Sequence, residues 1–146
     1  MDLIRKTYVE INLKNIEENV RKVIQRCNTY KYYFGVIKAD SYGLGDINNV
    51  DAIINGGCNY LAVATLEEAL EIRSKVKDTP ILCFGRIPRE YLDICHKNNI
   101  TITINTLEYL KEIEDCNIDN LKVHIKTNTG MNRMRNIKFR RVKRSI

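Results

Sequence analysis

Apolar residues along this chain switch repeatedly between two spacings. Tyr8-Val9-Glu10-Ile11-Asn12-Leu13 alternates like a half-buried strand, and Ile16, Val20, Val23, Ile24 and Cys27 then recur at helical spacing. The run Phe34 to Ile37 predicts a second strand. A polar, glycine-containing turn follows it, and Val50, Ile53 and Ile54 then share one helical face, with Asp46 as the expected N-cap. Tyr60-Leu61-Ala62-Val63-Ala64 reads as a buried strand. Thr65-Leu66-Glu67-Glu68 reads as a capping box that opens the next helix, with Leu66, Ala69, Leu70 and Ile72 on its apolar side. Ile81 to Gly85 predicts another strand, and Pro88 suits the first turn of the helix after it. Thr101 to Asn105 predicts a further strand, followed by a helix marked by Leu107, Leu110 and Ile113. Leu121 to Ile125 predicts the last.

After the opening strand, the strands begin near 34, 60, 81, 101 and 121, with a helical pattern in each interval. Such alternation implies βα units and a parallel sheet. The pattern does not choose between a doubly wound sheet and an arc of a barrel. Neither GxGxxG nor GxxxxGK[ST] occurs, so the usual nucleotide-binding folds lack support.

Polar residues gather just past two of these strands. Lys38, Asp40 and Tyr42 follow the strand at 34, and Lys126, Asn128, Asn132 and Arg133 follow the strand at 121. In a parallel α/β fold the C-terminal strand ends form the ligand face. A lysine at the end of a buried strand loses its charge more easily than a surface lysine, because desolvation disfavours the ammonium form. A Schiff-base lysine needs that property. Gly43 and Gly45 then let the backbone turn sharply. Two features outside these groups have simpler readings. His124 sits inside a strand pattern, which suits a structural role. The five cysteines lie too far apart for a zinc site and are odd in number, which suits buried thiols.

The segment Val36-Ile37-Lys38-Ala39-Asp40-Ser41-Tyr42-Gly43-Leu44-Gly45 resembles the cofactor-lysine motif of alanine racemases. Lys126-Thr127-Asn128-Thr129-Gly130-Met131-Asn132-Arg133 resembles that family's second signature, in the right order and at about the right distance. Tyr8 to Asn19 resembles its opening strand and helix. The likeness spans about 5 to 134. It implies an α/β chain forming part of a (β/α)8 TIM-type barrel, truncated after about five βα units. Residues 1–134 would be barrel, and residues 135–146 a divergent basic tail.

By that resemblance Lys38 is the catalytic residue. It would form the Schiff base with pyridoxal 5'-phosphate and act as the base on one face of the substrate Cα. Tyr42 would bind the cofactor phosphate, and Arg133 would donate to its phenolic oxygen. The lysine matching Lys126 is carbamylated in many members, and the resulting anion would hold the neighbouring guanidinium. The implied reaction interconverts L- and D-alanine for cell-wall synthesis, in a homodimer. The family's second base is a tyrosine from the partner subunit's C-terminal domain, which would lie beyond Ile146, so the chain by itself is expected to be inactive. Serine or another small amino acid as substrate, or an inactive remnant, are the alternative readings.

Two positions depart from the family pattern. Leu44 stands where histidine is usual, and Arg135 where glycine is usual. Charge changes at the same place. Seven of the 24 basic residues follow Asn132 with no acid among them, leaving a body of 17 bases and 18 acids. A truncated or frameshifted reading frame would account for the charge change and the early end, and a deliberately cut domain is the alternative reading. The tail lacks aromatic interleaving beyond Phe139, which argues against nucleic-acid binding. No apolar run approaches the ~20 residues of a membrane span, and the start lacks a signal peptide's apolar stretch, so a cytoplasmic protein without metal is expected.

Overall fold

The computed structural model of the chain describes residues 7–116 and 118–133. Five short strands form one parallel sheet: β1 (Phe34–Val36), β2 (Tyr60–Val63), β3 (Ile81–Cys83), β4 (Ile100–Ile104) and β5 (Val123–Ile125). Their spatial order is their sequence order, and every neighbouring pair is parallel. A doubly wound sheet would reverse its strand order at a switch point. None occurs here, so the arc-of-barrel alternative holds.

The connecting helices are α1 (Leu13–Arg26), α2 (Lys38–Gly43), α3 (Asp46–Asn55), α4 (Leu66–Lys75), α5 (Leu92–Lys97) and α6 (Leu107–Glu114). Strand alternation divides the sheet into two faces. Leu61 and Val63, Ile81 and Cys83, and Ile100, Ile102 and Ile104 point toward the helices. There they pack with Val50, Ala69, Ile72, Leu92, Cys95, Tyr109 and Ile113 in one buried cluster. The opposite face holds a smaller cluster of Tyr60, Ala62 and Leu82, with Phe34 against it. The sheet curls strongly about this second face. The Phe34 ring on β1 and the His124 ring on β5 lie 5.9 Å apart, although these strands are the two edges. Side chains meeting across the interior in this way fill the centre of a closed (β/α) barrel.

Most elements lie where the pattern placed them, with three corrections. Residues 7–12 form no strand, and Tyr8 and Val9 are exposed. β1 pairs only with β2, and an alternating segment is stable as a strand only where a neighbour supplies hydrogen bonds and one face is covered. Asp46 is the first residue of α3 rather than its cap. Gly45 takes the cap position, at φ 82°, as the backbone leaves a left-handed turn. Pro88 precedes a 3₁₀ turn, Arg89–Tyr91, that leads into α5, instead of sitting in the first turn of the helix.

The Thr65 capping box is complete in both directions. Replacing Thr65 with alanine removes the hydroxyl that accepts from the Glu68 N–H, and is expected to cost about 1 kcal/mol in urea denaturation. At the far end of α4, the Arg73 guanidinium donates to the carbonyls of Val76, Lys77, Thr79 and Asn99. That binds the α4–β3 loop to the start of β4.

All five cysteines are free thiols, and Cys58, Cys83 and Cys95 are buried. Burial pushes the Cys83 and Cys95 thiols up to about 11, and raises Cys58 and the Tyr109 phenol as well. In the unfolded chain the thiols ionise near 9.0, whereas the folded state keeps them protonated. Stability is therefore expected to be fully present below pH 9 and to fall as pH rises through 9 to 11. Urea midpoints across that range check this, and an unchanged midpoint would contradict the burial of these groups.

Candidate active site

Lys38 stands where β1 ends. Ile37, just before it, is fully buried, and its N–H donates to the Ala62 carbonyl of β2 at 2.9 Å. Lys38 itself is half-buried. The chain then makes one left-handed helical turn through Ala39, Asp40, Ser41 and Tyr42, with φ between 51° and 59°. Gly43 and Gly45 also have positive φ, as their positions in the sequence suggested. Four successive non-glycine residues in this region are unexpected, since each costs roughly 1–2 kcal/mol. Such strain persists only where surrounding bonds over-determine the geometry.

Several bonds do so. Within the turn, the Ser41 N–H donates to the Ile37 carbonyl and the Gly45 N–H to the Asp40 carbonyl, both at 3.0 Å. Past the turn, the fully buried Asn49 donates from Nδ2 to the Leu44 carbonyl at 2.7 Å. At its start, the Ala39 N–H donates to Glu68 Oε1 at 2.9 Å. The turn aims the Tyr42 ring back toward the lysine, with Lys38 Nζ 5.9 Å from the ring centroid.

The second polar group sits past β5. The Lys126 N–H donates to the Ile104 carbonyl at 2.8 Å, which fixes the lysine beside the end of β4. Asn128 Oδ1 then accepts from the N–H groups of Gly130 and Asn132, at 3.2 and 3.0 Å. That turn swings Met131 and Arg133 back over the strand ends.

A single open cleft of about 380 Å³ results. It is lined by Val36, Lys38, Tyr42, Ala64, Phe84, Thr103, Lys126, Met131 and Arg133. Lys38, Tyr42, Lys126 and Arg133, the four residues to which the resemblance gave roles, all border it, whereas Asp40, Asn128 and Asn132 are not among its lining. Among the described residues, its lining carries three cations and no carboxylate. That donor set, beside an apolar wall of Val36, Ala64, Phe84 and Met131, suits an anionic ligand with a flat apolar body.

The N-terminal domain family of alanine racemases matches residues 11–135. The chain belongs to the alanine racemase family. It is 37% identical to alanine racemase 1 of Bacillus subtilis over 131 residues, covering 89% of this chain and 34% of that protein. Among solved structures, the alanine racemase of Bacillus anthracis superposes with a TM-score of 0.79 at 29% identity, over 91% of this chain and 35% of that one. A histidine racemase from Leuconostoc mesenteroides superposes with a TM-score of 0.70 at 26% identity, over 83% of this chain and 33% of that one. The chain thus spans about a third of the length of the curated relatives it matches.

Lys38, Tyr42, Lys126 and Arg133 all lie past the C-terminal ends of strands of this barrel arc. Sequence reasoning missed part of the cleft wall. Phe84 and Thr103 project to the same face as Leu82 and Thr101, and strict strand alternation would have found them. Glu68 was legible as a capping residue, but nothing local signalled its reach to Ala39, 29 residues away in sequence.

Proposed function

We propose that this chain supplies the pyridoxal-phosphate lysine and one wall of the active site of an alanine racemase. The observation that carries this reading is the convergence of Lys38, Tyr42, Lys126 and Arg133 on one cleft. When bound, pyridoxal phosphate supplies an aldehyde carbon that an amine attacks, and a conjugated ring that draws electrons from the substrate Cα. Lys38 Nζ would be the amine that holds the cofactor and the acceptor for the Cα proton on its face. The Tyr42 hydroxyl would hold the phosphate, and Arg133 would donate to the phenolic oxygen. Lys126 and Arg133 border the same cleft as like charges. Carbamylation of Lys126 would convert that repulsion into an ion pair and hold the guanidinium in place. Val36, Phe84 and Met131 shield one side of the ligand from water.

Alanine is the substrate this reading assigns, on the strength of the alanine racemases among the relatives. The likeness to a histidine racemase favours a second reading, in which the same arc serves a racemase for another amino acid. The reading also implies the family's homodimer and a cytoplasmic location. Among the described residues, no helix is long and apolar enough to cross a membrane. The family match ending at residue 135 supports assigning 1–134 to the barrel and 135–146 to a divergent basic tail, which lies outside the described residues.

The test is to incubate the chain with pyridoxal phosphate, reduce with borohydride and map the adduct by peptide mass spectrometry. Labelling concentrated on Lys38 is expected. Labelling spread evenly over the exposed lysines would overturn the assignment.

A further inference from the structure

Glu68 makes more bonds than its helix needs. A capping box requires that its carboxylate accept from the N-cap N–H, and Oε2 does accept from Thr65 N–H at 3.3 Å. The same oxygen also accepts from the Ala64 N–H at a shorter 2.7 Å. The other oxygen leaves the helix altogether and accepts from the Ala39 N–H at 2.9 Å. Ala39 follows Lys38 directly and opens the left-handed turn. Ala64 lies at the end of β2 and lines the cleft beside Lys38. One half-buried carboxylate therefore ties together the loops leaving two adjacent strands, at the peptide after the candidate Schiff-base lysine.

We propose that Glu68 is a positioning residue for Lys38 and Tyr42: its carboxylate bridges the Ala39 and Ala64 N–H groups and holds the strained turn that aims both side chains into the cleft. Both oxygens must accept. Glutamine offers one acceptor and one NH₂ donor, so it can serve Ala39 or Ala64 but not both. Aspartate keeps the charge but is one methylene shorter, so it cannot cap α4 and reach Ala39 together. Hydrogen bonds to an ionised acceptor are the strong ones, and their loss leaves strained backbone free to relax.

This inference rests on the reading of Lys38 as the amine that meets the aldehyde, and the experiment separates the two. The full chain, Glu68→Gln, Glu68→Asp and Thr65→Ala are first compared by cooperative unfolding. Amide hydrogen exchange is then measured over 38–45, together with the rate of borohydride-trapped labelling of Lys38 by pyridoxal phosphate and the circular dichroism induced in the bound chromophore. Both Glu68 variants are expected to unfold cooperatively. They should exchange Ala39 to Tyr42 about tenfold faster, label Lys38 about tenfold more slowly and lose induced dichroism. Thr65→Ala damages the helix start but leaves the bridge, so it should lose stability and keep all three signals.

Parental exchange and labelling in Glu68→Gln would overturn the positioning role. So would equal losses in Thr65→Ala, or failure of both Glu68 variants to fold, either of which would make Glu68 structural only. Absence of Lys38 labelling in the parent chain would overturn the Schiff-base reading instead, while the exchange data would still judge the Glu68 bridge.

Discussion

Replacing Lys38 with alanine is expected to abolish site-specific capture of pyridoxal phosphate, leaving only the slow background labelling of exposed lysines. Lys38 is held at the end of β1 behind a fully buried Ile37, on a turn whose geometry is fixed at both ends. A pre-positioned amine reacts with a bound aldehyde at a far higher effective concentration than a mobile surface lysine. Lys126 is the informative control, because it borders the same cleft and is also half-buried. Lys126→Ala should leave the Lys38 adduct in place, with at most weaker binding of the anionic ligand. If the adduct in Lys38→Ala moved to Lys126 in equal yield, the cleft would bind the aldehyde without selecting Lys38, and the catalytic assignment would be wrong.

The reason Lys38 was visible in the sequence is local. An apolar run ending in a lone lysine before a glycine turn encodes a strand end, and the second motif encodes another strand end on the same side of a parallel sheet. Strand placement followed from the same short-range signals, because buried strands and amphipathic helices carry their own spacing. What stayed hidden depends on neighbours. The segment from Tyr8 to Leu13 has a strand's alternation but no strand to pair with, so it stays irregular and Leu13 begins α1 instead. The choice of barrel arc over doubly wound sheet rests on the spatial order of the strands, and that is a property of the assembled sheet. The left-handed turn is hidden for the same reason. Ala39, Asp40, Ser41 and Tyr42 have no intrinsic preference that would select four consecutive positive φ values, and bonds from Glu68 and Asn49 help to hold them there.

The two faces of the sheet should differ sharply in what they contribute to stability. Leu61→Ala is expected to cost about 2–5 kcal/mol, because it empties a fully buried site between the sheet and its helices. That is a large share of the roughly 5–15 kcal/mol that holds a domain folded. Leu61 pairs in register with Gly35 on β1 and Ile81 on β3, so its neighbours are backbone-fixed and can collapse only partly into the gap. Across the sheet, His124 meets Phe34 edge-on and Tyr60 at a tilt, but it is exposed on an outer strand whose Val123 and Ile125 are also exposed. His124→Ala should therefore cost no more than about 1 kcal/mol, since water already reaches the ring and fills the space it leaves. Urea denaturation of both variants gives the comparison. Near-equal losses would mean that the curled interior carries as much energy as the helix-covered face. The fold would then be held as much by barrel-type packing around Tyr60 as by the layer of helices over Leu61.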